Sequence, residues 1–93
     1  MTDAEKLIML KTDLGISVED LDARLAQYIT TAKAQIGREG ITLSDDSLDD
    51  SNLVIMYAAW MWRKRESGEG MPRMLRYALN NRLFSEKMQE EEV

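Results

Sequence analysis

The chain contains no cysteine and no histidine. Disulfides are thereby excluded, the thiolate and imidazole ligands of the usual structural zinc sites are missing, and so is the usual base of a nucleophilic triad. Proline occurs once, and neither an internal repeat nor a period-two apolar run is present, which leaves helices as the building elements. The opening Met1-Thr2-Asp3-Ala4-Glu5-Lys6 lacks a basic segment followed by a long apolar one, so no signal peptide is expected. The longest apolar run, Leu53 to Trp62, is half the length of a bilayer span, and the chain is expected to be soluble, intracellular and without a membrane partner. At 93 residues the core is modest. Small domains gain extra stability from disulfides, metals or association, and only association is left.

What is present is charge, unevenly spread. Residues 1–52 carry eleven acids against five bases, residues 53–88 carry three acids against seven bases, and the last five residues are acidic again. One part of the chain repels polyanions while another can pair with carboxylates.

The periodicity predicts an all-α fold, a single small domain of about four helices. Thr2 and Glu5 form a capping-box pattern, Leu7, Leu10 and Leu14 recur at helical steps, and Gly15 offers a left-handed stop, giving a helix over about 3–14. Ser17 and Asp20 start a second, about 18–37, with Leu25, Ile29, Ala32 and Ile36 on one stripe. An acidic loop follows. The third helix is expected over about 51–66, acidic at its start and basic at its finish, and Pro72 opens the fourth, about 72–88, with Met71, Leu75, Ala78, Leu79 and Leu83 facing inward. Residues 1–88 then form the helical domain and 89–93 a disordered acidic tail.

Catalytic chemistry has little to stand on. Lysine could replace histidine as a base, but no Ser-x-x-Lys spacing occurs, and no carboxylate pair sits in apolar surroundings that would separate two pKa values. No catalytic activity, cofactor or metal is expected. Asp45, Ser47, Asp49 and Ser51 alternate as in a calcium loop, but the sixth position is Asp50 instead of glycine and the twelfth is Met56 instead of glutamate. Helix capping accounts for them more simply. Nucleic-acid binding has a better basis in Arg63, Lys64, Arg65, Arg73, Arg76, Arg82 and Lys87, with Tyr77 and Phe84 interleaved. Against it stands an acidic sequence pI of about 4.7, unsuited to phosphate-driven association.

Ten apolar residues in succession make a helix greasy on every side, and Trp60 and Trp62 point about 200° apart around it. One small core is not expected to cover both. Tyr57, Trp60, Met61 and Trp62 are therefore expected at an oligomer interface.

The order of elements resembles the small head–tail connector (adaptor) proteins of long-tailed bacteriophages and related prophages. The likeness rests on the short leading helix, the Leu25, Ile29, Ala32, Ile36 spacing, the acidic loop, the Ala- and aromatic-rich helix through Tyr57 to Arg63, and the Met71-Pro72 start of a Leu75, Leu79, Leu83 helix. It spans nearly the whole chain, although Trp60-Met61-Trp62 departs from the family pattern. The resemblance implies a structural virion protein, present in the host bacterial cytoplasm during assembly. Such subunits form a ring beneath the portal, extend the DNA channel and dock the next neck component, the stopper, and an isolated subunit can be monomeric until the portal templates the ring. It further implies Asp45, Asp46, Asp49 and Asp50 as channel-facing acids that let DNA slide without sequence-specific binding, and Arg73, Arg76, Arg82, Phe84 and Lys87 as a grip on the portal. Reversing Arg76 and Arg82 is then expected to abolish portal pairing with the helices intact. The alternative is a small helical DNA-binding or regulatory protein.

Overall fold

The computed structural model describes residues 1–91, which fold into four helices and, among the described residues, no strand: α1 (Asp3–Leu14), α2 (Asp22–Arg38), α3 (Leu48–Ser67) and α4 (Arg73–Glu91). None of the described helices is long and apolar enough to cross a membrane.

Helix α1 starts where its sequence asks. Thr2 Oγ1 accepts from the Glu5 N–H at 3.1 Å while Glu5 Oε1 accepts from the Thr2 N–H at 3.0 Å. This reciprocal cap satisfies two otherwise unpaired donors and stabilises the helix by about 1 kcal/mol. Gly15, at φ 70°, ends it in the left-handed conformation.

Helix α2 begins four residues later than the spacing predicts. Neither Ser17 nor Asp20 caps it; a tight turn closed by the Asp22 N–H on the Glu19 carbonyl comes first, and Leu21 occupies the N-cap position with no side-chain bond. Lys11 Nζ lies 2.7 Å from Asp22 Oδ1, tying the end of α1 to the start of α2. The buried stripe is the one expected: Leu25, Ile29, Ala32 and Ile36.

Helix α3 begins three residues earlier than expected because Ser47 caps it: Ser47 Oγ accepts from the Asp50 N–H at 3.1 Å. Asp49 and Asp50 therefore belong to the helix's first turn, where their charge complements the macrodipole. Helix α4 starts directly after Pro72 and continues three residues past the expected end. Of the expected acidic tail, residues 92 and 93 lie outside the described residues.

The uniformly apolar run is explained by position. Helices α1 and α2 both pack against α3, and α4 packs against it too, so α3 is the central element of the domain. Val54, Ile55, Tyr57, Ala58, Ala59 and Met61 are all buried in one core with Leu10, Ile29, Ile36, Leu75 and Leu79. Each large apolar side chain sealed there contributes on the order of 2 kcal/mol. A single protomer thus covers most of what the sequence assigns to a neighbour.

Candidate functional site

The aromatic residues expected at an interface are largely occupied within the chain. Tyr57 is 5% exposed, and its hydroxyl donates to Gln35 Oε1 at 2.7 Å. Burial, together with the negative charge of Glu39, pushes that phenol above its ordinary pKa, with Arg76 partly offsetting the rise. Met61 is buried as well. Trp60 and Trp62 are half-buried, and both faces of the helix find partners. Trp60 meets the Tyr57 ring edge-on with centroids 5.4 Å apart, carries Lys64 Nζ 4.3 Å above its ring, and donates through Nε1 to the Glu69 carbonyl at 3.3 Å. Trp62 meets Tyr28 at 5.7 Å and carries the Arg65 guanidinium 3.7 Å from its centroid. Edge-to-face pairs and cations over indoles each stabilise by about 1 kcal/mol. Tyr57 and Met61 are corrected from interface to core, and the two indoles cap the end of α3 within their own protomer.

The charged residues divide in a similar way. Arg82 Nε donates to Asp50 Oδ1 at 2.7 Å and Nη2 to Asp50 Oδ2 at 3.3 Å, while Nη1 reaches Glu86 at 2.8 Å and Nη2 the Thr42 carbonyl at 2.8 Å. Asp50, whose side chain is 4% exposed, completes its shell with the Ser44 N–H at 3.0 Å. The acids opposite Arg82 raise its proton affinity further, and hydrogen bonds from Thr42 and Arg82 hold the Glu86 carboxyl below its ordinary value. This is a clamp fastening α4 and the α2–α3 loop to the start of α3, so Asp50 does not face a channel and Arg82 is not free to grip a partner. Arg76 is engaged too, through Glu39 at 2.9 and 3.3 Å. The expectation that reversing Arg76 and Arg82 would spare the fold is corrected accordingly. Arg73, Phe84 and Lys87 stay exposed.

A second ionic cluster fastens the other side of the loop. Lys6, only 1% exposed, donates to Asp45 Oδ1 at 2.7 Å and Asp3 Oδ1 at 3.2 Å, and Lys33 reaches Asp3 as well. The amino group of Met1 donates to the Asp45 carbonyl. Asp45 therefore has a partner inside the chain, whereas Asp46 and Asp49 face outward. Ser47 and Asp50, read against a calcium loop, are a helix cap and a clamp, and among the described residues no three carboxylates gather as a metal site.

Exposed apolar side chains lie elsewhere, Ile8 and Met9 on α1, Val18 before α2, Leu48 and Met56 on α3, and a longer series on α4. Met74, Tyr77, Asn81, Phe84 and Met88 recur at alternating steps of three and four residues, and the four apolar members are 73%, 58%, 65% and 48% exposed. That spacing forms one stripe, on the side of α4 opposite its buried Leu75 and Leu79. Beside it runs a groove between α3 and α4. Two hollows meet at Met56: one reaches to Asp49 and Ser85, the other to Arg63 and Asp13. Of the stripe, the sequence singles out Tyr77 and Phe84 as aromatics among cations; the inward Leu75, Leu79 pattern draws attention to one face, while the second periodicity, visible in Met74, Tyr77, Phe84 and Met88, marks the other.

No protein-family model, curated protein or solved structure matches the chain, so these residues themselves carry the functional reading.

Proposed function

We propose that the chain is a structural assembly subunit, a head–tail connector (adaptor) that closes into a ring beneath a portal, extends the channel for DNA and receives the next neck component. The observation that carries this reading is the unpartnered apolar surface of α4: Tyr77, Phe84 and Met88 on its outward face and, across Met74 and Asn81, the adjoining α3–α4 groove. Identical subunits close into a ring through heterologous contacts, which require two different patches on each copy. The resemblance in order of elements gives the same reading from the sequence. A rigid body fastened by the Lys6 and Arg82 clusters suits a spacer, and the outward acids Asp46 and Asp49 suit a wall past which DNA slides. The site of action is the virion, with assembly in the bacterial cytoplasm.

A DNA-binding protein is less well supported, because four of the seven cations between residues 53 and 88 are engaged internally: Lys64 and Arg65 over indoles, Arg76 and Arg82 with carboxylates. Electron microscopy of the chain mixed with a candidate portal protein tests the reading. A ring of added density on the portal is expected. Bare portal particles, together with salt-sensitive retention of the chain on DNA, would overturn it.

A further inference from the structure

We propose that two free copies of the chain pair through their α4 helices, parallel and in register, with Asn81 of each facing Asn81 of the other. Met74, Tyr77, Asn81, Phe84 and Met88 are all exposed and follow the alternating three- and four-residue steps of a coiled-coil seam, so the surface that fits them is a second helix. Met74, Asn81 and Met88 share one seam position, seven residues apart, and Tyr77 and Phe84 share the other.

Asn81 selects the occupant. It is the one polar member of the seam, and a polar group shut in without a partner opposes association. In a parallel pair, like seam positions face each other, and a second copy brings an amide to that layer by identity, so that one Asn81 donates to the carbonyl oxygen of the other. In an antiparallel pair each seam position faces the other kind, which sets Asn81 against Tyr77 or Phe84 and leaves its amide against a ring. The flanks agree on the sense: parallel alignment puts Arg73 beside Ala78 and Asn80 beside Ser85 of the other copy, whereas antiparallel alignment brings Arg73 to Lys87. The area suffices. Met74, Tyr77, Phe84 and Met88 are 73%, 58%, 65% and 48% exposed, which leaves roughly 500 Å² of largely apolar surface open on one copy. Two copies then cover on the order of 1,000 Å², the size at which a specific interface begins to hold. Ala78, Asn81 and Ser85 also line the mouth of the α3–α4 groove, so the second helix covers the stripe and this mouth together. A two-fold contact closes on itself and builds no ring. The pair therefore goes beyond the connector reading: it is the state of the free chain, and it opens when assembly takes up the α4 surface.

The lack of cysteine makes the test direct. Met74→Cys and Met88→Cys mark the two ends of the seam, fourteen residues apart or about 21 Å along the helix, and both sites are exposed. Each single-cysteine chain, oxidised alone, is expected to give a disulfide-bonded dimer, and an equal mixture of the two is expected to give those same two species with little of the mixed one. Phe84→Ser in either background should lower the yield about tenfold. Asn81→Leu should keep association but release its sense, so that the mixed disulfide appears. A mixed disulfide that dominates with Asn81 in place overturns the parallel pair, and an unchanged pattern in Asn81→Leu overturns the part given to Asn81. A chain that stays monomeric in solution yet adds a ring to a portal removes the pair and leaves the connector reading standing; disulfide-bonded pairs with bare portal particles do the reverse.

Discussion

Arg82 and Asp50 lie 32 residues apart in sequence and meet through two hydrogen bonds, with Asp50 almost fully enclosed. Among the ion pairs of the described residues, this is the one whose acid is most enclosed, at 4% exposure. Removing one member of a buried pair leaves the other uncompensated, so Arg82→Met should cost about 3 kcal/mol or more. Lys6→Met removes a more deeply buried cation, but its partners Asp3 and Asp45 are 57% and 63% exposed and can rehydrate; a cost of about 1 kcal/mol is expected. Urea denaturation of the two variants checks the ranking.

The Lys6 cluster gives the stability a defined pH window. Burial by itself would raise Asp3, but hydrogen bonds from Lys33 and Lys6 outweigh it, and the hydrogen bond from Lys6 lowers Asp45; both fall below the ordinary 3.8. A carboxylate with a depressed folded pKa contributes stability that is complete above its unfolded value and lost as pH falls through the folded one. Lys6 runs the other way: burial lowers it, the bonds to Asp45 and Asp3 more than compensate, and its pKa rises above 10.5. Its contribution is complete below that value and lost at higher pH. Urea midpoints should hold level through the range between these two values and drop on either side, and in Lys6→Met the drop near pH 3 should be shallower.

Gly40 is confined from two directions. Its φ of 103° is one that L side chains rarely adopt, and a Cβ there would lie 3.3 Å from Leu83 Cδ1. Gly40→Ala should destabilise by about 2 kcal/mol, since the strained backbone and the crowded side chain add. Thermal unfolding, compared with Gly70→Ala, where a Cβ meets open space and φ is ordinary, isolates the effect.

Trp62 should matter for folding and not for association. Trp62→Ala forfeits the Tyr28 and Arg65 contacts and should cost about 2 kcal/mol of stability. A calorimetric scan gives that loss, while the mass in solution at matched concentrations should be unchanged.

The sequence's legibility follows the range of the interactions involved. The limits of α1 could be read because Thr2, Glu5 and Gly15 act within one turn. The start of α3 could not, because Ser44, Ser47 and Ser51 are all plausible caps and the choice falls to Ser47 only once Asp50 turns back to the Ser44 N–H. The run from Leu53 to Trp62 announced a helix covered on all sides, but nothing local says whether the cover comes from the same chain. It comes from α1, α2 and α4, and from Lys64 and Arg65 folding back over the indoles. Arg82 looked like a free cation for the same reason: its partner is remote in sequence. The outward stripe of α4 was present as a second periodicity overlaid on the first.

Sedimentation equilibrium of Phe84→Ser beside Trp62→Phe, each over a wide concentration range with the wild-type chain as reference, bears most directly on where subunits meet. Association is expected to be lost with Phe84→Ser and kept with Trp62→Phe. The reverse result, loss with the indole and retention with the phenylalanine, would place the interface on the Trp62 face of α3 and contradict the account.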